Sequence, residues 1–393
     1  MKKVNRFWLL LCFIPCQAGK FISFENKKSI KAKTNYAVKQ GLKGIMVWQI
    51  SLDKTNDLIQ SIDQSLPKGK EFIVYLPNYV VNGKRGYQIS QLETLLKKGT
   101  KITSVVYGFA KPNADGTVEF DNQKLDLGRG TDSDGNIKKF AAFKKNYPNV
   151  KLFLSFGGWG YKNEFYKAAN NGNLKRLAFN CVALLPEHFD GIDIDWEFQS
   201  DPEREMFNEK ICQFADYINQ AIEKRTQKTF FSLAVKTNTH FHNRFKSFKK
   251  LTEKVDWINL MAYNYEGPDW SEITGHNAPL YSPDLPSKRT WKTSTPKFES
   301  VDTSINAVLK MGVAPNKLVL GVPFYGRAFK DVKAGNQNDG LYQLHGGPAK
   351  KDAIISYSRL VGKVPLSQKE NGSFEFTYYW DDVSKVPYLY SNS

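Results

Sequence analysis

The chain is short of the residues that hold disulfide scaffolds, metal centres and membrane anchors. Four cysteines in 393 residues exclude a cysteine-stapled fold. Of the five histidines, only His240 and His242 are close in sequence, and they read as part of a polar loop. No ligand set for a metal emerges, so neither a metal nor a cofactor is expected. No apolar run reaches the roughly 20 residues of a membrane span. No glycine-rich turn follows a strand, as a nucleotide-binding doubly wound sheet requires. Internal repeats and low-complexity tracts are also missing. Arginine is scarce beside lysine, and no arginine stripe carries interleaved aromatics. The net charge of +17 therefore reads as a solvated lysine-rich surface, with no nucleic-acid partner.

Hydrophobic residues at 41% and charged residues at 24% place the chain among globular proteins rather than disordered ones. The first residues have their own pattern. Met1 to Arg6 is basic, Phe7 to Pro15 is apolar but too short to span a bilayer, and Cys16-Gln17-Ala18 offers a small residue before a cut. Residues 1–18 are read as a signal peptide cleaved after Ala18, and the protein as secreted, extracellular or periplasmic, with no membrane partner after cleavage. Pro15 and Phe13 suit a lipid-carrying Cys16 poorly. Cys181 and Cys212 remain; a disulfide and two buried small hydrophobes are both open readings.

From Ser29 onward helical stretches alternate with short apolar runs. Helices are expected over Ser29–Gly41, over Asp53–Ser65 with Asp53 as its cap, and over Ser90–Lys98, Glu203–Lys224 and Ser304–Met311. Strands are expected at Gly44–Trp48, Glu71–Leu76, Ile102–Phe109, Lys151–Phe156, Gly191–Glu197, Phe230–Val235, Val255–Met261 and Leu318–Phe324. Eight near-continuous apolar strands separated by helices or long loops predict an α/β fold, a (β/α)8 TIM barrel. The stretch 327–393 breaks this rhythm with glycine, tyrosine and short strand-like pieces, and reads as a small insertion.

The segment from Asp190 to Glu197 carries the chemistry. Side chains alternate along a strand, so Asp193, Asp195 and Glu197 share one face, and Ile192, Ile194 and Trp196 the other. In a barrel strand the acidic face is the interior, and it rises toward the C-terminal mouth where such barrels place their active sites. Three carboxyls about 6–7 Å apart in a poorly solvated interior cannot all ionise, so at least one is held protonated. That supplies a proton donor for general acid catalysis.

Asp190 to Glu197 resembles the DxxDxDxE signature of glycoside hydrolase family 18, the chitinases. Ser155-Phe156-Gly157-Gly158-Trp159 resembles that family's SxGG turn. Met261-Ala262-Tyr263-Asn264 is similar to its MxYD motif, and Gly321 to Arg327 to its GxPxYGR motif. Tyr75 and Tyr107 to Phe109 match its first two strands. The resemblance implies a secreted chitinase that cleaves β-1,4-linked N-acetylglucosamine polymers with retention, using the substrate's own acetamido group. It implies Glu197 as acid and base, Asp195 and Asp193 as its carboxylate partners, and Tyr263 as the residue that positions the acetamido carbonyl. Ser155 and Tyr75 are expected to hydrogen-bond Asp193. Trp48, Phe109, Trp159, Met261, Asn264, Trp270, Tyr325 and Arg327 complete the expected sugar-binding set, with Trp48 as floor; Trp380 is placed near the mouth loops. Trp257 and Trp291 are assigned to core packing. The motif departs from the family at Asn264, where aspartate is usual, so an altered pH optimum or rate is expected. Chitin or chito-oligosaccharide is the expected partner, and the protein a monomer. A chitin-binding lectin and an endo-β-N-acetylglucosaminidase of N-glycans share the framework; the presence of Glu197 argues against the lectin.

The order of the motifs departs from the family as well. The strand ending in Trp48 resembles the family's last barrel strand but comes first. Residues 19–28 and 327–393 are therefore expected to form one α+β insertion domain, and 29–326 the barrel. The chain order would be circularly permuted, with Phe21–Phe24 antiparallel to the strand around Tyr388–Tyr390.

Overall fold

The computed structural model describes residues 19–81, 86–130, 134–238, 241–242, 245–283, 298–337, 339–349, 353–361 and 376–392. The leader 1–18, His240, Trp291 and Ser393 lie outside the described residues.

Eight parallel strands form a closed ring. In chain order they are β2 (Gly44–Trp48), β3 (Glu71–Pro77), β4 (Ser104–Pro112), β6 (Lys151–Gly157), β7 (Gly191–Asp195), β8 (Phe230–Lys236), β9 (Trp257–Met261) and β10 (Leu318–Pro323). Each pairs with the next in parallel register, and β10 returns to β2 through Val319↔Gly44 to Pro323↔Trp48. A short β5 (Val118–Phe120) folds back antiparallel on the end of β4. The ring is the expected barrel, and its strand alternation is visible in the two cores. Met46, Ile73, Tyr75, Val106, Phe153, Trp257 and Val319 fill the interior. Their neighbours Ile45, Val47, Phe72, Val74, Leu152, Leu154, Ile192 and Ile194 pack outward against the helices. Trp257 is thus packing, as expected.

The second sheet is antiparallel, in the order β12 (Ile354–Ser356), β11 (Tyr325–Val332), β1 (Gly19–Ser23), β14 (Val386–Ser391) and β13 (Thr377–Asp381). Strand β1 sits in its centre, paired to β14 from Lys20↔Ser391 to Ser23↔Tyr388 and to β11 through Phe21↔Phe329 and Ser23↔Arg327. The expected partnership of Phe21–Phe24 with the Tyr388–Tyr390 strand is present, and β2 lies between β10 and β3. Between β1 and β2 runs the helix Lys27–Lys39, capped by Asn26. Its Lys33 is fully buried and donates to Glu25 Oε1 at 2.5 Å, while Ser29 Oγ donates to Glu25 Oε2 at 2.5 Å.

Several local expectations shift. The acidic strand ends at Asp195, not Glu197. Asp53 does not sit at the first turn of its helix, which runs Asp57–Ser65 behind Asn56. Its carboxylate instead accepts the amides of Asp57, Leu58 and Ile59 from four to six residues upstream, so it satisfies that helix's orphan donors from a loop. His242 is not in a polar loop: it is buried against Phe241 and Phe248, and burial pulls its imidazole down to about 3. Trp380 lies on the edge strand β13, with Lys28 Nζ 3.9 Å over its ring, rather than at a barrel strand end. Cys181 and Cys212 are free thiols. Among the described residues no helix is long and apolar enough to cross a membrane.

Candidate active site

The barrel mouth gathers the expected residues. Tyr75, Ser155 and Asp193 project inward from β3, β6 and β7. Asp193 is fully buried and accepts four hydrogen bonds. Tyr75 OH and Ser155 Oγ donate to Oδ2 at 3.0 and 2.7 Å; Ser232 Oγ and Asn259 Nδ2 donate to Oδ1 at 2.6 and 3.4 Å. Asn259 also donates to Tyr75 OH at 3.1 Å. Strand register dictates this arrangement: Ser155 and Ser232 are the direct neighbours of Asp193 on either side. Burial raises the Asp193 carboxyl while these four donors pull it back down.

Asp195, two residues higher, is treated differently. Its Oδ1 is buried with no hydrogen-bond partner. Burial first, then the neighbouring Glu197 and Asp193, hold its carboxyl well above the ordinary range. Glu197 lies two residues beyond the strand; burial holds it up at about 7, against the opposing pull of Lys236 and Lys162. Glu197 is therefore able to hold or release a proton near neutral pH, the property that closely spaced buried carboxyls favour. Trp196 turns outward and stacks on Phe165, with centroids 5.2 Å apart at 14°. It anchors the segment that carries Glu197.

Trp48 stands at the end of β2, half-buried, against Tyr75 (5.6 Å) and Phe109 (5.9 Å). In the ring order β2 is diametrically opposite β7, so this indole faces the carboxyl column across the mouth. The turn after β6 needs its glycines. Gly157 and Gly158 have φ of +110° and +79°; a Cβ on the first would strike the Asp195 carbonyl, and on the second the Phe109 ring at 2.9 Å. Trp159 follows, 54% exposed.

Met261 ends β9, partly buried against the interior cluster, and Tyr263 follows, buried against Tyr325 at 6.2 Å. Burial and the nearby Tyr325, Asp195, Glu197 and Asp193 push its phenol well above the ordinary range, so it stays a donor. Asn264 adopts φ +60°. Its Oδ1 accepts from Tyr325 OH at 2.7 Å and from Arg327 Nε and Nη2 at 3.2 and 2.7 Å. Arg327 is 8% exposed and stacks on Trp270, itself half-exposed, at 4.9 Å. Arg327 thus rests on the Asn264 amide. The structure brings Tyr75 and Phe109 against Trp48, and links Tyr263, Tyr325, Asn264, Arg327 and Trp270 through successive contacts. Sequence reasoning missed Ser232 and Asn259; each is a polar residue between apolar neighbours on the inward register of its strand, which is the available signal. Among the described residues no group of three His, Cys, Asp or Glu could hold a metal ion.

Comparison with known proteins agrees with this geometry. The profile described as "Glycosyl hydrolases family 18" matches residues 13–53 and 71–393. Chitinase 1 of Aphanocladium album is 32% identical over 329 residues, covering 79% of this chain and 73% of that protein. Chitinase B of Serratia marcescens is 30% identical over 298 residues, covering 65% and 59%. A solved chitinase of Bacillus thuringiensis superposes with a TM-score of 0.64 at 26% identity, covering 82% of this chain and 61% of that one. With the acidic signature, the barrel and the profile all in agreement, the chain belongs to glycosyl hydrolase family 18.

Proposed function

We propose that the chain is a secreted chitinase that hydrolyses β-1,4-linked N-acetylglucosamine polymers with retention of configuration, the substrate supplying the nucleophile. The observation that carries this reading is the asymmetry of the carboxyl column. Asp193 is saturated with donors, Asp195 keeps an unpartnered buried oxygen, and Glu197 is held near 7. An acetamido N–H would satisfy Asp195 Oδ1, and Tyr263 would donate to the acetamido carbonyl side, holding it beneath C1. Glu197 gives its proton to the glycosidic oxygen as the C1–O bond breaks. The acetamido oxygen bonds to C1, forming an oxazolinium ion. Glu197, now a carboxylate, takes a proton from the water that reopens it. Trp48, Phe109, Trp159 and Trp270 offer ring faces to sugars. The retained Glu197 favours hydrolysis over a lectin role.

The leader and the chemistry of an extracellular polymer support secretion. Residues 19–28 and 327–393 are read as one domain and 29–326 as the barrel, the protein acting as a monomer. The position of β2 between β10 and β3 supports a circularly permuted order relative to the family. The decisive experiment follows the products by NMR. N-acetylated oligomers should release the β-anomer first, and fully deacetylated oligomers should resist cleavage. Release of the α-anomer, or equal cleavage of deacetylated chains, would overturn the mechanism.

A further inference from the structure

Three cations stand at the mouth without a carboxylate within ion-pair distance among the described residues. Lys236 ends β8, and Glu197 follows β7. The parallel register places Ile194 beside Leu233, so three residues further on Glu197 and Lys236 reach the same level. On the other flank of β7, Lys162 opens the helix after the β6 turn and holds Nζ 4.5 Å above the Trp159 ring. Arg327, almost fully buried, donates to the neutral Asn264 amide and stacks on Trp270. A fourth cation within electrostatic reach of Lys236, Arg204, is spoken for, its Nη2 lying 2.5 Å from Asp201 Oδ1. Glu203 lies within reach of Lys162, but its carboxylate is occupied by the amides of Gln199 and Ser200.

The local acids do not neutralise this set. Burial raises the carboxyls of Asp193, Asp195 and Glu197, the last to about 7, and none of the three lies within ion-pair distance of these cations. Lys236 is solvent-exposed at the end of β8, and its ammonium, lowered by desolvation from the protein around it, feels Glu197 across the gap. Low-dielectric clefts concentrate the field of such charges.

We propose that the substrate carries carboxylates: the mouth is built for an N-acetylhexosamine polymer with an anionic substituent on a sugar next to the scissile bond, met by Lys162, Lys236 and Arg327. This rests on the hydrolytic reading above and names the substrate class of that same site. The polymer's acetamido group still supplies the nucleophile; the carboxylate supplies ion pairing with the otherwise unpaired cations. A carboxylate on a sugar O3 ether and one at an oxidised chain end share this chemistry.

The test compares three probes of equal length. One is neutral N-acetylated chito-oligosaccharide, one the same oligomer oxidised to an aldonic acid at its reducing end, and one an oligomer in which alternate sugars carry a lactyl ether. Hydrolysis is followed with the wild-type chain and binding with Glu197→Gln. We expect at least one anionic probe to bind and react about tenfold better than the neutral one at low salt. That ratio should collapse between about 0.01 M and about 1 M salt, as the screening length falls from about 30 Å to about 3 Å. It should also fall toward one in Lys162→Met/Lys236→Met, whatever that variant's absolute rate. A lactyl preference places the carboxylate on the sugar ring's side, and an aldonic preference at the chain end. An anionic-to-neutral ratio at or below one, or one untouched by salt and by both lysine substitutions, overturns the proposal. If no probe is cleaved, the hydrolytic reading has failed, and the binding ratio still decides this one.

Discussion

Two of the regions that bury carboxylates in this molecule do so by opposite rules. Under the helix Lys27–Lys39, Glu25 loses its water but gains an ammonium and a hydroxyl, each at 2.5 Å. Burial raises its carboxyl and lowers the Lys33 ammonium, yet each charge answers the other. At the mouth, Asp195 loses its water and gains no partner for Oδ1, and Glu197 is left at about 7. The first region uses a matched pair to fix where a helix sits. The second leaves charge unmatched so that a substrate completes it. A buried oxygen left open, such as Asp195 Oδ1, is the candidate for direct contact with a substrate.

The sharpest way to test that contrast is to neutralise Glu197. Glu197→Gln should cut hydrolysis by at least about 10²–10⁴-fold without loss of folded stability, measured by product assay and thermal melting. The converse substitution lies in the other region. Lys33→Met leaves Glu25 buried without its ammonium, and should cost about 3–5 kcal/mol in denaturant unfolding. Activity of the molecules that remain folded should be unchanged. The paired change Glu25→Leu with Lys33→Met should recover most of that loss, and failure to do so would show that the pair is more than a matched charge.

Acid sensitivity separates the regions further. Glu197 is raised in the folded state from 4.5 to about 7. Its contribution is fully present below about 4.5 and is lost as pH rises through about 7, a penalty of about 3 kcal/mol at one kcal/mol or so per pKa step. Asp381 has the opposite sign. Its bond from His276 Nε2 at 2.9 Å holds it down at about 2, so its contribution is present above 3.8 and lost as pH falls through about 2. Melting temperatures against pH should therefore flatten between pH 4.5 and 7 in Glu197→Gln and below pH 4 in Asp381→Asn.

Asn264→Asp would place a carboxylate against Arg327 and Tyr325. The pH–rate profile should shift, because a new anion against Tyr325, itself within electrostatic reach of Glu197, alters the titration of the carboxyl column; superimposable profiles would show that the position does not sense it. The smallest effect is expected at Asp53, whose loop carboxylate caps three amides. Asp53→Ala should lower stability by about 1 kcal/mol and leave the pH–rate profile in place.

The sequence made the barrel legible because its strands are short apolar runs at the spacing a (β/α)8 ring requires. The carboxyl column was legible because alternation alone puts Asp193 and Asp195 on one face. Three features were not. Glu197 was read as part of the strand, since local pattern does not say where pairing stops. Ser232 and Asn259 were passed over because one polar residue in an apolar run looks like noise until register sets it beside Asp193. Lys33 was counted with the solvated lysines, because only its contact with Glu25 beneath the helix distinguishes it from them.

The central place of β1 in the second sheet has a consequence for how the molecule is made. Its two neighbours are β14, where Lys20 meets Ser391, and β11, where Phe21 meets Phe329. During synthesis from the N-terminus, the first described strand must wait for almost the entire polypeptide before either partner exists. The ring itself closes late too, because β2 needs β10 as well as β3. Such distant pairings close slowly, and an apolar strand left waiting is a site for misassembly. Refolding should thus show the second sheet forming with the last kinetic phase, and a nascent chain stalled before β11 should be open to proteases along β1 (Gly19–Ser23).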